Sequence, residues 1–285
     1  MKQHYIKCSV NGHYEDLKTL FIEIKKEFNT ESIHKFRVTY KKFRAFLRML
    51  SRDSKAGKIK IHKKLESIYH LLGSVRDLQL QRIRVLKASK YEREKPRLYR
   101  IVLQKEIRKK KRKLAKINLN NKFVKSIKHR RADIPNKFPY RSFKKYAELK
   151  WAEICAIVLS ENFSDPMLHL IRKHLKDLFY NMKEYEKATN KKLSKSFLKE
   201  KDESYLTQLL EELGNFHDKC TAIGLLKDKW TDGLNKQHML RIEQSWLAEK
   251  SGMKDLLIAR LKLLPMGLPA NDLNQSLSVK NIPPV

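Results

Sequence analysis

The sequence predicts an all-α protein built from long helices. Its 285 residues include 8 Gly and 8 Pro, whereas Lys, Leu, Glu and Ile abound, and this composition favours long helices with short connections. Apolar residues recur three and four positions apart in one segment after another, as in amphipathic helices. Two landmarks of the first half also recur in the same order in the second half, which predicts an internal repeat. Hydrophobic residues make up 41% of the chain, enough for a sizeable core.

The charge of the chain predicts a polyanionic partner. The 64 Lys and Arg residues outnumber the 31 Asp and Glu residues and leave a net charge of +33 at pH 7. This excess is more than solubility needs, and it destabilises a compact monomer by self-repulsion. A pI near 10.0 is also typical of nucleic-acid-binding proteins. Composition therefore gives the sign of the partner's charge but not its identity.

The second predicted helix, residues 31–50, carries the clearest pattern in the chain. It follows a first helix from Tyr14 to Phe28, and Asn29 and Thr30 are suitable N-cap residues between them. At about 100° per residue, its apolar side chains share one face. These are Ile33, Phe36, Tyr40, Phe43, Leu47 and Leu50.

Another face of this helix is a stripe of basic residues, which we call the first stripe. Its members fall within about 80° of one another and span about 21 Å along the axis. They are His34, Arg37, Lys41, Arg44 and Arg48. Surface helices usually mix acids with bases, but no Asp or Glu occurs between Ser32 and Arg52. We therefore expect the counter-ion to come from outside the helix.

A long third helix is predicted from Ile59 to Ala88, after a polar loop at 51–58. It contains L-G-S-V-R-D at 72–77. A glycine inside a helix costs about 1 kcal/mol, so we expect a close helix contact at Gly73 as the compensation.

The rest of the first half is predicted to hold a helix from Pro96 to about Ile117 and a short one over 123–131. The basic run at 108–113 has no apolar register, which favours a solvated face.

Pro135 and Pro139 break the helical pattern and predict a boundary between two halves, residues 1–134 and 135–285. Helices are predicted in the second half at 141–159, 166–186, from 206 onward and at 235–264. Residues 265–285 are predicted to form a tail with little order of its own.

The helix predicted at 166–186 repeats the second helix, with His169 at an offset of 135 residues from His34. Its basic residues form the second stripe: His169, Arg172, Lys176 and Lys183. Asp177 and Phe179 replace basic residues of the earlier helix, so the second stripe is the weaker one.

The start of this helix and the helix after it repeat as well. Asp165 is expected as an N-cap, and Pro166 suits the first turn. L-G-N-F-H-D at 213–218 matches L-G-S-V-R-D at 72–77.

The spacing H-x-x-R-x-x-x-K within RVTYKKFRAFLR, together with the repeated L-G-x-x-R/H-D, resembles the CHAD domain, an all-helical family named for its histidines. The resemblance covers about residues 16–229, with Lys41 and Lys42 where the family has arginines. It implies one CHAD domain made of two pseudo-symmetric antiparallel helical bundles of about four long helices each. It also implies a central basic pore that binds inorganic polyphosphate.

The chemistry of the stripes suits a condensed phosphate chain. Such a chain carries oxygens along its whole length and needs a row of donors, in which Arg supplies forked contacts and Lys compact charges. The predicted polyphosphate-binding residues are those of both stripes together with Arg76: His34, Arg37, Lys41, Arg44, Arg48, Arg76, His169, Arg172, Lys176 and Lys183.

Each of these residues also has a structural interpretation. A histidine at the edge of an apolar face is commonly a structural hydrogen-bonding residue, although its repetition at the same register favours a site. Arg76 with Asp77, and His217 with Asp218, would equally serve as pairs that tether helices. We prefer this role for both acids, because an acid repels phosphate.

Catalysis is not expected. The sequence lacks H-E-x-x-H, G-x-x-x-x-G-K-[ST], G-x-G-x-x-G and G-x-S-x-G, and no cofactor is implied. Cys8, Cys155 and Cys220 are widely separated, which predicts neither a disulfide framework nor a zinc site. The first sixteen residues contain no apolar core like that of a signal peptide, and no apolar run approaches the length of a membrane span. We expect a monomeric, soluble, cytoplasmic protein without a membrane partner, with location at polyphosphate granules as one option.

The alternative is a basic helical protein that binds nucleic acid. Base recognition by stacking needs aromatic side chains among the basic ones. In the second helix, Phe36, Tyr40 and Phe43 lie on the apolar face instead, which favours a ligand made of phosphate alone.

Overall fold

The computed structural model describes residues 1–52, 59–90, 96–119, 134–191, 193, 203–227 and 236–264. Within these ranges the chain forms eight α-helices, which confirms the all-α prediction. They are α1 (Gln3–Glu27), α2 (Thr30–Leu50), α3 (Lys63–Ala88), α4 (Arg97–Ala115), α5 (Tyr140–Leu159), α6 (Asp165–Thr189), α7 (Glu203–Leu226) and α8 (Lys236–Lys262). The helix predicted over 123–131 and the tail predicted at 265–285 lie outside the described residues.

The helices pack as antiparallel pairs of chain neighbours: α1 with α2, α3 with α4, α5 with α6 and α7 with α8. Four of them also contact one another across the pairs. α2 contacts α3 and α6, and α7 likewise contacts α3 and α6. These four inner helices thus close a ring of contacts, and each has one of the other four helices as its partner.

The predicted apolar faces form two clusters of buried side chains. Ile33, Phe36 and Phe43 of α2 are 0% exposed and belong to the larger cluster, which is built mainly from α1 to α4. This cluster also takes Met182 from α6 and Ile223 from α7. The smaller cluster joins α5, α6, α7 and α8. Each fully buried large apolar side chain contributes about 1.5–3 kcal/mol, so the apolar faces fix how the helices are rotated.

α1 begins at Gln3, and the predicted start at Tyr14 is wrong. Ile6 and Val10 continue the buried face of this helix towards its N-terminus, although polar residues surround them. The segment before α5 also fixes this end of the chain. Phe138 N–H donates to the Met1 carbonyl at 3.0 Å, and the Met1 amino group donates back to the Phe138 carbonyl at 2.5 Å.

The helices that carry the stripes begin close to the predicted positions. Asn29 caps α2, because its Oδ1 accepts the backbone N–H two residues later at 2.7 Å. The prediction that Asp165 caps α6 is wrong, since Ser164 is the N-cap and Asp165 is the first helical residue. At that position its carboxylate lies at the positive end of the helix dipole. Pro166 occupies the first turn as predicted.

α3 begins at Lys63, four residues after its predicted start at Ile59. His62 forms the cap, with Nδ1 accepting the Lys64 N–H at 3.1 Å. Ile59 and Ile61 are buried although they precede the helix, so they extend the apolar pattern beyond the helix itself.

Three further findings concern the described ranges. They contain no group of three or more His, Cys, Asp or Glu side chains placed to hold a metal ion. None of their helices combines the length and the apolar character that crossing a membrane requires. Cys8, Cys155 and Cys220 are free thiols.

Candidate anion-binding cavity

A cavity of about 420 Å³ lies between the four inner helices, and we call it the central cavity. α2 contributes Arg37, Lys41, Arg44 and Arg48. α6 contributes His169, Arg172, Lys173, Lys176, Asp177 and Tyr180. α3 contributes Tyr69, His70, Gly73, Ser74 and Asp77, and α7 contributes His217.

Arg37 is held against α3 at the glycine of the first L-G motif. A Cβ atom at Gly73 would collide with the Arg37 guanidinium. The same guanidinium donates to the Tyr69 carbonyl at 3.3 Å and lies 4.8 Å from the centre of the Tyr69 ring. The close helix contact predicted at Gly73 is therefore confirmed, and its partner is an arginine of the first stripe.

Arg172 makes the corresponding contact in the second half. A Cβ atom at Gly214 would lie 3.4 Å from Arg172 Nη2 and 3.6 Å from its Nε. In both halves, an arginine of the striped helix covers the glycine of the helix that follows. The contact is looser in the second half, because the added Cβ would meet the guanidinium at an ordinary van der Waals distance.

Aromatic rings support two of the guanidinium groups on the α2 side. The Tyr69 ring centre is 5.7 Å from Arg44 Cζ, and the Tyr69 ring stacks on Tyr40 with 4.2 Å between centres. Nε of Arg44 and Nε of Arg172 are buried and find no hydrogen-bond partner within the described part of the chain. Because an aromatic face attracts a cation without neutralising it, the charges of Arg37 and Arg44 remain available to an anion.

Two acids also line the central cavity. Asp177 Oδ1 accepts a hydrogen bond from Arg48 Nη2 at 2.6 Å. Burial raises the pKa of Asp177 against the opposing effect of Arg48, and burial likewise raises the pKa of Asp77 against that of Arg37. Two carboxyl groups that are costly to ionise leave most of the positive charge in the cavity unbalanced.

Burial and the excess of positive charge lower the pKa values of two lysines in the central cavity, Lys41 and Lys176. Burial lowers the pKa of Lys41 to about 7, and the neighbouring cations Arg37 and Lys176 lower it further. Burial and Arg172 together lower the pKa of Lys176 to about 8, although Asp218 opposes them. Without an anion in the cavity, both lysines therefore give up their protons far more readily than lysines in water.

Two histidines stack at the α6–α7 side of the cavity. The rings of His169 and His217 have centres 4.2 Å apart. Burial lowers the pKa of His169 to about 4, with His217 and Lys173 as further causes, and burial also lowers the pKa of His217. Both rings are therefore neutral at pH 7 and offer hydrogen bonds rather than charges.

A second cavity, of about 440 Å³, shows what distinguishes the central one. It lies between the C-terminal parts of α3 and α7 and helix α8, and basic residues line it as well. Here, however, Arg84 lies 3.5 Å from Asp218, and Lys219 lies 2.5 Å from Glu249. Size and basic residues are thus common to both cavities, whereas the excess of unbalanced charge marks the central one.

Comparison with known proteins identifies the family of this chain. A model of the CHAD domain matches residues 11–227, which include both stripes and both L-G motifs. The chain belongs to the CHAD domain family. The crystal structure of the CHAD domain from the plant Ricinus communis matches it with a TM-score of 0.69 at 14% identity, over 93% of this chain and 92% of the plant chain. That likeness establishes the shared fold. No curated protein sequence matches the chain.

In this CHAD domain, seven of the ten predicted site residues line the central cavity. They are Arg37, Lys41, Arg44, Arg48, His169, Arg172 and Lys176. His34 and Arg76 are not among the lining residues and contact each other instead, with Arg76 Nη1 on His34 Nδ1. Burial and Arg76 lower the pKa of His34, as expected for a neutral ring that accepts from a guanidinium.

Lys183 is the third predicted residue outside the central cavity. It lies on the exposed part of α6 with Nζ 4.3 Å from the centre of the Phe179 ring. It lines a different and smaller cavity, described below.

Several lining residues of the central cavity were not predicted as ligands. The most informative are Tyr69, Asp77, Lys173 and Tyr180. Tyr69 and Asp77 lie four residues before and after Gly73, on the same side of α3. The predicted helix contact at Gly73 could therefore have been used to predict that both residues face the cavity. Lys173 and Tyr180 lie on α6 beside the second stripe, and the repeated pattern of basic residues gave no signal for either.

Proposed function

We propose that this CHAD domain protein binds inorganic polyphosphate in the central cavity without transforming it. The supporting observation is that two helices far apart in the sequence bring their basic residues into one cavity. Seven Lys and Arg side chains line it: Arg37, Lys41, Arg44, Arg48, Arg172, Lys173 and Lys176. The two lining acids are Asp77 and Asp177, so the cavity has an excess of positive charge.

The arrangement suits a chain of phosphates rather than a compact ligand. Cations on α2 and on α6 line the same space, so a linear polyanion lying between the helices meets charges on both sides. The arginines offer forked contacts to pairs of oxygens, and the lysines offer adjustable point charges. The neutral pair His169 and His217 adds donors that an approaching anion would help to protonate.

The lowered lysine pKa values make binding a proton-linked process. A polyanion beside Lys41 and Lys176 favours their charged forms and opposes the effect of burial. Binding near pH 7 to 8 is therefore expected to draw protons onto these two lysines, so the affinity increases as the pH falls.

The proposal includes the architecture that the family resemblance implied. We infer that residues 1–134 and 135–285 are pseudo-symmetric halves and that the central cavity is part of a pore between them. The contact of Arg37 with Gly73 and that of Arg172 with Gly214 support this inference. The inferred protein acts as a monomer in the cytoplasm, with polyphosphate granules as one place where such binding would be used.

Nucleic acid is the alternative ligand, and one observation favours it. Tyr69 and Tyr180 line the central cavity, so its walls contain aromatic rings that the sequence pattern did not predict. However, Tyr69 is 7% exposed and already contacts Arg37 and Tyr40. Stacking on a base requires an accessible ring face, which Tyr69 does not offer. Tyr180 is half-buried, and one such tyrosine among seven basic side chains still favours polyphosphate.

A competition experiment tests the proposal. Labelled long-chain polyphosphate is displaced by unlabelled polyphosphate, single-stranded RNA or duplex DNA at about 150 mM salt, where loose surface contacts are screened. We expect polyphosphate to win by at least about tenfold per phosphate, which is about 1.4 kcal/mol. The double variant Arg37→Ala, Arg172→Ala is expected to lose this margin.

Equal competition by RNA or DNA, combined with wild-type binding by the double variant, would place the ligand elsewhere. A matched control is Lys109→Ala, Lys113→Ala, which removes two charges from the exposed basic run of α4. It is expected to keep the preference for polyphosphate.

A further inference from the structure

A smaller cavity of about 240 Å³ borders the central cavity, and we call it the side cavity. Tyr180 lines both cavities. Lys42 of α2 and Lys183 and Lys187 of α6 also line the side cavity. Lys183, the residue of the second stripe that does not line the central cavity, thus lines the side cavity together with two more lysines.

The basic face of α6 continues from one cavity into the other. At 100° per residue, Arg172, Lys176, Lys183 and Lys187 fall within about 60° of one another, and they span about 22 Å along the axis. The first two line the central cavity and the last two line the side cavity. A single straight track of charge therefore runs past Tyr180.

α1 and α2 supply the facing wall of the side cavity. Lys42 Nζ lies 5.9 Å from the centre of the Tyr180 ring, and His13 of α1 lies beside it. Burial lowers the pKa of His13, Lys42 and Lys187 lower it further, and Glu184 opposes them. The facing wall therefore adds one more lysine and a neutral imidazole.

One acid, Glu184, lines the side cavity. Its Oε1 accepts hydrogen bonds from Ser9 Oγ at 2.6 Å and from Tyr5 Oη at 3.1 Å. These hydroxyl groups turn the carboxylate towards α1. Three lysines against one hydrogen-bonded acid leave the side cavity positive.

We propose that the side cavity is a second anion subsite, which holds the phosphate units of a chain that leaves the central cavity past Tyr180. This proposal rests on the proposed function and adds a direction to it, from the N-terminal part of α6 towards its C-terminal part. It gives Lys42, Lys183 and Lys187 a role that short chains do not need.

The test compares a short and a long probe on Lys183→Ala, Lys187→Ala. Tripolyphosphate is expected to occupy the central cavity alone, whereas long-chain polyphosphate is expected to reach both cavities. Calorimetric titration is expected to show unchanged binding of tripolyphosphate and about fivefold weaker binding of the long chain, the size of two exposed charge contacts. The slope of log affinity against log salt for the long chain is expected to fall by about 1.4.

Two further variants sharpen this result. Lys109→Ala, Lys113→Ala removes two exposed lysines at the same spacing from α4 and is expected to leave both probes unaffected. Glu184→Gln retains an acceptor for Ser9 and Tyr5 but removes the negative charge, and it is expected to strengthen long-chain binding alone. Equal losses for both probes, or losses no larger than those of the α4 control, would overturn the side-cavity proposal.

This failure is distinguishable from failure of the proposed function. If Arg37→Ala, Arg172→Ala binds both probes as the wild type does, the central cavity is not the site and both proposals fall. If that variant loses both probes while Lys183→Ala, Lys187→Ala loses neither, only the side cavity is excluded.

Discussion

The two striped helices share a register but differ in the charges that they bring to the central cavity. α2 contributes three arginines and one lysine, whereas α6 contributes one arginine and two lysines. α6 also carries Asp177, which binds Arg48 of α2. An arginine stays charged at any physiological pH, whereas a buried lysine changes its charge. One wall of the cavity is therefore mostly fixed in charge, and the other is largely adjustable.

The difference extends to the contacts that hold the key arginines. Arg37 fills the space above Gly73 closely and meets the Tyr69 ring, whereas Arg172 lies over Gly214 with room to spare. A repeated sequence pattern has thus produced one tight and one loose version of the same contact. Rigid positioning favours affinity because less freedom is lost on binding, so the α2 side is expected to dominate recognition.

The largest expected effect concerns pH, because it acts on both walls. Lys41 and Lys176 have pKa values of about 7 and about 8, so raising the pH from 6 to 9 removes both charges from the unliganded cavity. We expect polyphosphate affinity to fall by at least about tenfold across this range. Calorimetric titration in buffers of different ionisation enthalpy measures both the affinity and the protons taken up.

Replacing Lys41 or Lys176 one at a time shows how much each wall of the central cavity contributes to the pH dependence. Lys41→Arg stays charged and is expected to flatten the pH dependence from about pH 7 upward, whereas Lys176→Arg acts from about pH 8 upward. Identical pH profiles for both variants and the wild type would show that other groups control the binding.

The stability of the unliganded protein should show the opposite trend. Between about pH 7 and 10.5 the unfolded chain holds a proton on Lys41 that the folded chain has lost, so the free energy of unfolding increases with pH. Relative to Lys41→Met, the wild type is expected to gain stability across this window. Urea unfolding at several pH values measures the difference.

Local periodicity was sufficient to predict much of this arrangement. The apolar face of α2 and the seven cavity residues of the stripes follow from 3.6 residues per turn, because a helix fixes which side chains share a face. The contact at Gly73 followed from the energetic disadvantage of a glycine within a helix. These features depend on the residues of a single helix, so they can be predicted from the sequence without knowing how the helices pack.

The remaining features depend on how helices meet, which periodicity does not describe. His34 belongs to the first stripe by angle, but Arg76 of α3 contacts it outside the cavity. Asp177 looked like a weak point of the second stripe, yet it is the partner of Arg48. Lys183 keeps its angle on α6 but lies beyond the reach of the central cavity. In each case a neighbouring helix decides the role.

The glycine contacts give a second, smaller test of the comparison. Gly73→Ala places a Cβ atom where the Arg37 guanidinium lies, so the guanidinium must shift from its present position against the Tyr69 ring. We expect polyphosphate affinity to fall about fivefold, as for loss of a cation–π contact and its positioning. Gly214→Ala meets Arg172 at an ordinary distance and is expected to leave affinity unchanged.

Stability provides the control for this pair. Alanine is favoured over glycine within a helix by about 1 kcal/mol, and Gly214→Ala is expected to show this gain in urea unfolding. The displacement of Arg37 is expected to offset it in Gly73→Ala. Equal affinities for the two variants would mean that the tightness of the Arg37 contact has no role in binding.

The smallest expected effect concerns Asp177, the acid of α6 that accepts a hydrogen bond from Arg48 of α2. Asp177→Asn removes a negative charge from the central cavity but keeps an oxygen that accepts from Arg48. Polyphosphate affinity is expected to increase about threefold, because Arg48 keeps only a neutral hydrogen bond and its charge is no longer balanced by Asp177. The free energy of unfolding is expected to change by less than about 1 kcal/mol, since the carboxylate that is lost was itself costly to bury.

The matched control is Glu148→Gln on α5, which removes one acid outside the cavity. The Glu148 carboxylate lies 3.6 Å from the Lys144 ammonium group. If both variants bind alike, Arg48 is a structural partner of Asp177, and the α2 wall binds phosphate through its other basic residues.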